Sequence, residues 1–261
     1  MPFAQQLLLR VPSLLLGVII VGGTIILSVV GLLIVRRLIP HHRLKLHNDV
    51  AGPIFGTLGV VYAVLLAFVV IIVWQNFDKA SLNVEKEANV LADLYKDAEC
   101  FPENFKQAAR NLVNEYAKTV VNEEWPMLAR GQENLHAADL VKKMWLLYSG
   151  YVSKTTTEQA FFEESVRKLN ELSDSRMIRL VDSRTGINPL LWFVLIVGGI
   201  NTIIFTFVFG AENLNAQLSM MVLLGVLISL ILVTILLMDF PFSGGIIITP
   251  KAFQQILLSM Y

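Results

Sequence analysis

The chain has 261 residues, 55% of them hydrophobic, and its 21 lysines and arginines balance 21 aspartates and glutamates. Zero net charge at this apolar content excludes a basic nucleic-acid binder, and the single cysteine, Cys100, excludes an intrachain disulfide or a multi-cysteine metal cage. The charges are sorted rather than spread: 18 of the 21 acidic and 15 of the 21 basic residues fall within residues 75–189.

The sorting leaves four charge-free apolar stretches, residues 11–35, 51–74, 190–209 and 217–238. A helix needs roughly 20 apolar residues to cross ~30 Å of hydrocarbon, so each stretch is long enough to span a bilayer. The first ends at Arg36-Arg37 with no small-x-small cleavage site, so it reads as a retained span. A basic loop follows, with His41, His42 and His47. His42, His47 and Asp49 match no metal-ligand spacing, and lipid headgroups are the expected contact of this loop.

Gly52-Pro53 opens the second span, where proline suits a first helical turn because its missing N–H has no partner there. No proline occurs between Ile54 and Phe101. Past Trp74, the residues Phe77, Ser81, Val84, Ala88, Leu91, Tyr95 and Ala98 alternate spacings of three and four. The pattern predicts one unbroken helix of about 45 residues, roughly 65–70 Å long, that starts in lipid and ends in water.

Pro102 breaks that helix and starts another, with Phe105, Ala109, Leu112, Tyr116 and Val120 on its buried side. Pro126 should kink or end it, with Gly131 as the stop. A helix over residues 136–151 comes next, then one opened by the polar Thr155-Thr156-Thr157-Glu158 and carrying Phe162, Val166, Leu169, Leu172 and Leu180. The pairs Glu123-Glu124 and Glu163-Glu164 read as solvated faces. Asn188-Pro189 begins the third span. After the fourth, the Asp239–Gly245 turn leads to a short helix capped by Thr249-Pro250, whose Phe253, Ile256, Leu257 and Met260 suggest a helix lying on the membrane surface. The fold class is therefore all-α: an integral membrane protein with four transmembrane helices and an inserted helical bundle. Its expected segments are 1–74, 75–189, 190–238 and 239–261.

Within the second span, Gly52, Gly56, Gly59, Ala63 and Ala67 form one narrow stripe, with Leu58, Val61, Leu65, Phe68 and Ile72 opposite. Small residues let membrane helices approach closely, so a tight helix–helix seam is one use of this face. A pore lining around an oligomer axis is the other. In the third span Asn201 is the only amide, with Thr202 and Thr206 nearby, and hydrogen bonding to a neighbouring helix is its expected role. No Asp, Glu, Lys, Arg or His lies mid-span, and paired Gly/Pro breaks are absent, which argues against active transport but not against a passive conduit. No nucleophile–base constellation and no phosphate loop is assignable. The chain is not expected to be an enzyme or to need a cofactor.

Several segments carry a resemblance. They are Gly59-Val60-Val61-Tyr62-Ala63-Val64-Leu65-Leu66-Ala67-Phe68 running on to Trp74, Glu87-Ala88 with Leu94-Tyr95, Glu124-Trp125-Pro126-Met127, and Asp239-Phe240-Pro241-Phe242-Ser243-Gly244. Together they resemble a family of bacterial membrane proteins described as bestrophin-like, remotely similar to bestrophin anion channels. The resemblance implies structural roles for Glu87, Trp125, Pro126, Asp239, Pro241, Phe242 and Gly244. It also implies a homo-oligomer in the bacterial inner membrane, with an inorganic ion as the permeant and a long pore-lining second helix. Where bestrophins place an acidic calcium-binding run, this chain has Gly244-Gly245-Ile246-Ile247-Ile248, so calcium gating is not implied.

With four spans, both ends and the insert share one side of the membrane. Arg36, Arg37, Arg43 and Lys45 outweigh Arg10 and Lys251, which favours a non-cytoplasmic insert, whereas likeness to bestrophins favours a cytoplasmic one. The leading expectation is a passive homo-oligomeric anion conduit. The alternative is a membrane-anchored sensor or scaffold whose bundle binds a partner or small ligand.

Overall fold

The computed structural model describes residues 3–40 and 44–260; His41, His42 and Arg43 of the histidine loop lie outside the described residues. Among the described residues there is no strand, and four helices are long and apolar enough to cross a membrane. The chain runs α1 (Phe3–Arg10), α2 (Ser13–Leu38), α3 (Asn48–Asp97), α4 (Glu103–Thr119), a π-turn (Val120–Glu124), α5 (Trp125–Leu128), α6 (Leu135–Ser149), α7 (Thr156–Asp182), α8 (Pro189–Phe207), α9 (Leu214–Met238) and α10 (Lys251–Ser259). α3 has 50 residues, about 75 Å at 1.5 Å per residue, and it does not break at Trp74.

Two compact units emerge. One holds residues 10–75 and 186–239, the other residues 76–185 with the N-terminal helix through Leu9 and the chain after Asp239.

In the membrane unit α2 packs along α9, with Gly17 facing Val233 and Gly225 facing Thr24 and Ser28. The hydroxyls of Thr24, Ser28 and Ser229 donate to carbonyls one turn back, at 2.8, 2.6 and 2.6 Å, so none is left bare in lipid. Only 11% of the most apolar window of α2 is covered within the chain, which leaves lipid or another protein surface to cover the rest. At the end of α2, Arg36 donates to Gln217 Oε1 from Nη2 at 2.7 Å and also to the Ala211 carbonyl. Gln217 in turn donates to the Phe209 carbonyl at 2.8 Å. Asn48 and Gly210 exchange hydrogen bonds at 3.1 Å, and Lys45 pairs with Glu212 at 2.5 Å. The two loops at this end are thereby tied together.

The bundle unit has one apolar core. α3 contributes Ala80, Val84, Ala88, Leu91 and Leu94, and α4 contributes Phe105, Ala109, Val113 and Tyr116. Val113 is buried where Leu112 was expected, and Leu112 is only partly covered. Phe105 sits 4.5 Å from Tyr151, 4.7 Å from Phe101 and 5.0 Å from Tyr148, ring centre to ring centre. Asn134 caps α6 by accepting from Ala137 N at 3.0 Å, and Thr155 caps α7 by accepting from Glu158 N at 3.1 Å. Before Pro126 the helix widens into the π-turn and continues as α5. A π-turn relaxes the register where proline can supply no N–H. Gly131, at φ +63°, then ends the run in the left-handed region that glycine tolerates.

One expectation is overturned here. α10 does not present its apolar face to a membrane surface: Phe253 is fully buried and Ile256 nearly so, both inside the bundle core. The face that looked lipid-directed is a core face, which the pattern alone cannot distinguish.

Candidate functional site

Tyr62, Leu66, Val69 and Val73 form the side of α3 that packs within the membrane unit. Tyr62 lies against the Gly198-Gly199 pair of α8: a Cβ on Gly198 would meet the ring at 2.6 Å, and one on Gly199 would meet the hydroxyl at 2.9 Å. The hydroxyl donates to the Leu195 carbonyl at 2.8 Å. The close helix–helix approach of α3 is therefore built on glycines of another span, not on its own.

The small-residue stripe makes no close helix–helix contact among the described residues. A Cβ added to Gly52, Gly56 or Gly59 would find no heavy atom within 4 Å, and Ala63 and Ala67 are exposed. The seam expected at this face is not made among the described residues of one chain.

The third-span polar residues part company. Thr202 donates to the Gly198 carbonyl at 2.8 Å and Thr206 to the Ile203 carbonyl at 2.6 Å, both on their own helix. Asn201 is exposed and has no hydrogen-bond partner among the described residues, contrary to the expected bond to a neighbouring helix. It opens onto a groove of about 450 Å³ whose walls include Leu58, Val61 and Leu65 of α3 and Val194 and Phe205 of α8.

The bundle holds a charge cluster that the sequence reading missed. Arg179 donates from Nε to Glu87 Oε2 at 2.7 Å, and from Nη2 to Glu87 Oε1 at 3.0 Å and Glu124 Oε2 at 2.8 Å. Arg176 Nη2 donates to Glu124 Oε1 at 2.6 Å, and the Tyr116 hydroxyl donates to Glu87 Oε1 at 2.6 Å. Glu87, Glu124, Arg179 and Tyr116 are all fully buried. Glu124, read as part of a solvated pair, is brought inward at the end of the π-turn. Burial, then the charge of Glu87, pushes the Tyr116 phenol well above its ordinary value. Burial alone would pull the Arg179 guanidinium down, but Glu87, Tyr116 and Glu124 outweigh it and hold it well above its ordinary value. Two guanidiniums balance two carboxylates, so the cluster is neutral and suits a structural role better than proton transfer. Its signal was periodicity: Glu124 follows Tyr116 and Val120 at spacings of four, and Arg176 and Arg179 continue the run after Leu172.

The remaining motif residues gather around this cluster and at the end of α9. The Trp125 ring lies 5.7 Å from Phe242 and 6.0 Å from Phe253, and the Arg179 guanidinium sits 5.6 Å from its centre. Trp125 Nε1 donates to the Ile248 carbonyl at 3.2 Å, and Ile248 N donates to the Pro241 carbonyl at 2.8 Å. Gly244 takes φ +96°, where a Cβ would press on Leu8 at 3.2 Å. In the membrane unit, Asp239 accepts from Ile187 N at 2.7 Å and Trp192 Nε1 at 3.1 Å. A second junction fixes α1: buried Gln5 donates to the Ser183 carbonyl at 3.0 Å, the Ser243 hydroxyl at 3.2 Å and the Ala129 carbonyl at 3.3 Å.

The family model of the bestrophin-like domain matches residues 22–253. The chain belongs to the bestrophin-like family. The fold of this bestrophin-like chain is shared with solved structures. A crystal structure of a bacterial bestrophin homologue from Klebsiella pneumoniae carrying a mutation aligns at TM-score 0.65 and 11% identity, covering 94% of this chain and 98% of that one. A second mutant of a bestrophin homologue from that organism aligns at TM-score 0.63 and 12% identity, covering 93% and 98%. A crystal structure described only as a mutant membrane protein aligns at TM-score 0.65 and 11% identity, covering 94% and 98%. No curated protein matches the sequence of this bestrophin-like chain.

Proposed function

We propose that this chain is a subunit of a passive, homo-oligomeric anion conduit in the bacterial inner membrane, with Gly52, Gly56, Gly59, Ala63 and Ala67 of α3 turned toward a shared axis. The observation that carries the reading is the bareness of that stripe, where glycine Cβ positions meet nothing and both alanines are exposed. A charge-free, small-residue face offers a permeating ion little side-chain bulk. The anion preference follows from the resemblance to bestrophins. We read the insert as non-cytoplasmic because Arg36, Arg37, Arg43 and Lys45 outweigh Arg10 and Lys251, with Arg176, Arg179 and Arg184 near the third span counting the other way.

Halide and potassium flux through proteoliposomes tests the proposal. Halide should pass, and Ala63→Trp or Ala67→Trp should abolish passage while the oligomer mass in detergent is unchanged. Undiminished flux in both variants, or a strictly monomeric protein, overturns it. Side-specific maleimide labelling of Cys100 in intact cells checks the side of the insert.

A further inference from the structure

We propose that the groove between α3 and α8 binds a neutral amphiphile whose carbonyl or hydroxyl head meets the Asn201 amide and whose tail follows the apolar walls. Asn201 lies within a span, exposed and without a hydrogen-bond partner among the described residues, although Thr202 beside it is satisfied by its own helix. Acyl chains cannot answer an amide, so a bilayer alone leaves its donors and acceptor bare. The other polar group of the groove, the Tyr62 hydroxyl, already donates to Leu195.

The cavity, about 450 Å³, is of the size that takes a small ligand, and its lining is otherwise apolar and aromatic. No Asp, Glu, Lys, Arg or His is among the lining residues, which disfavours a charged head at this depth and selects a neutral one. The choice of a lipid-phase ligand over a neighbouring copy rests on the conduit reading. At about 100° per residue, Leu58, Val61 and Leu65 lie roughly 140–160° around α3 from the small-residue stripe. If the stripe faces the axis, the groove faces lipid.

The test uses the full-length protein in liposomes containing a diazirine-tagged monoacylglycerol, with adducts mapped after irradiation. Adducts should concentrate on the peptides bearing Leu58–Leu65 and Val194–Phe205. Asn201→Leu, which removes a bare amide and leaves the fold unstrained, should lower their yield ~3–10-fold, as expected for one lost hydrogen bond. Val61→Trp should fill the groove and abolish them. A fatty-acid probe with the same tag should label these peptides more weakly. Equal labelling of Asn201→Leu and the parent overturns the proposal. So does a disulfide-linked dimer between Asn201→Cys and Ala63→Cys copies, each also carrying Cys100→Ser, because a neighbouring copy would then occupy the groove. Flux is read separately, so absence of labelling in the parent protein with flux intact is failure of this site and not of the conduit.

Discussion

Arg179 places Nε 2.7 Å from Glu87 Oε2 in a part of the bundle where neither side chain is exposed. Removing one member of such a pair leaves a buried charge unanswered. Arg179→Met should lower bundle stability by about 3–5 kcal/mol, whereas replacing both partners with apolar side chains should cost less. Thermal unfolding in detergent, followed by tryptophan fluorescence, gives both values.

Tyr62 and Gly198 locate the real intramembrane seam of α3. Gly198→Ala would put a methyl 2.6 Å from Tyr62 Cε2, displacing the ring and its bond to Leu195. A loss of about 1–3 kcal/mol is expected, partly relieved by adding Tyr62→Leu. Gly56→Ala meets open space and should be tolerated in the same melting assay.

Phe253→Ala tests the placement of α10. A buried phenylalanine in the bundle core should cost about 3–5 kcal/mol on truncation. A helix resting on lipid would instead leave the detergent-solubilised protein as stable as before.

Asp97 predicts a pH effect. Burial, then Asp93 and Glu164, raises its carboxyl above the ordinary value, with Lys168 and Arg167 acting against them, and its Oδ2 is buried without a hydrogen-bond partner among the described residues. The folded state thus holds the proton more tightly than the unfolded one, so stability rises as pH falls through the raised value and is lost above it. Asp97→Asn, which removes the charge that burial and the neighbouring Asp93 and Glu164 disfavour, should stabilise the protein at pH 7. Melts taken near pH ~4, where an ordinary carboxyl is half protonated, should show a smaller difference.

The spans, the cap at Thr155 and the stop at Gly131 were legible because each rests on local chemistry: hydrocarbon length, a side-chain acceptor, a left-handed φ. Glu124 was not, because a charge was assigned to water although its spacing from Tyr116 and Val120 pointed inward. The Tyr62 seam was missed for a different reason. A ring and the glycines that admit it lie on separate spans, and no periodicity within either span registers the match. Asn201 was found by its type, but its lack of a partner among the described residues is a property of the assembled helices.

Gln5 and Ser243 are 238 residues apart, yet they share a hydrogen bond and both bond to the Ala129 carbonyl. During synthesis Gln5 leaves the ribosome long before Ser243 exists, so the full set of bonds that seats α1 cannot form until translation has passed the fourth span. Closure of this junction is a late event with high loop-closure entropy. Nascent chains halted ahead of Ser243 should therefore leave α1 more open to protease than longer ones do.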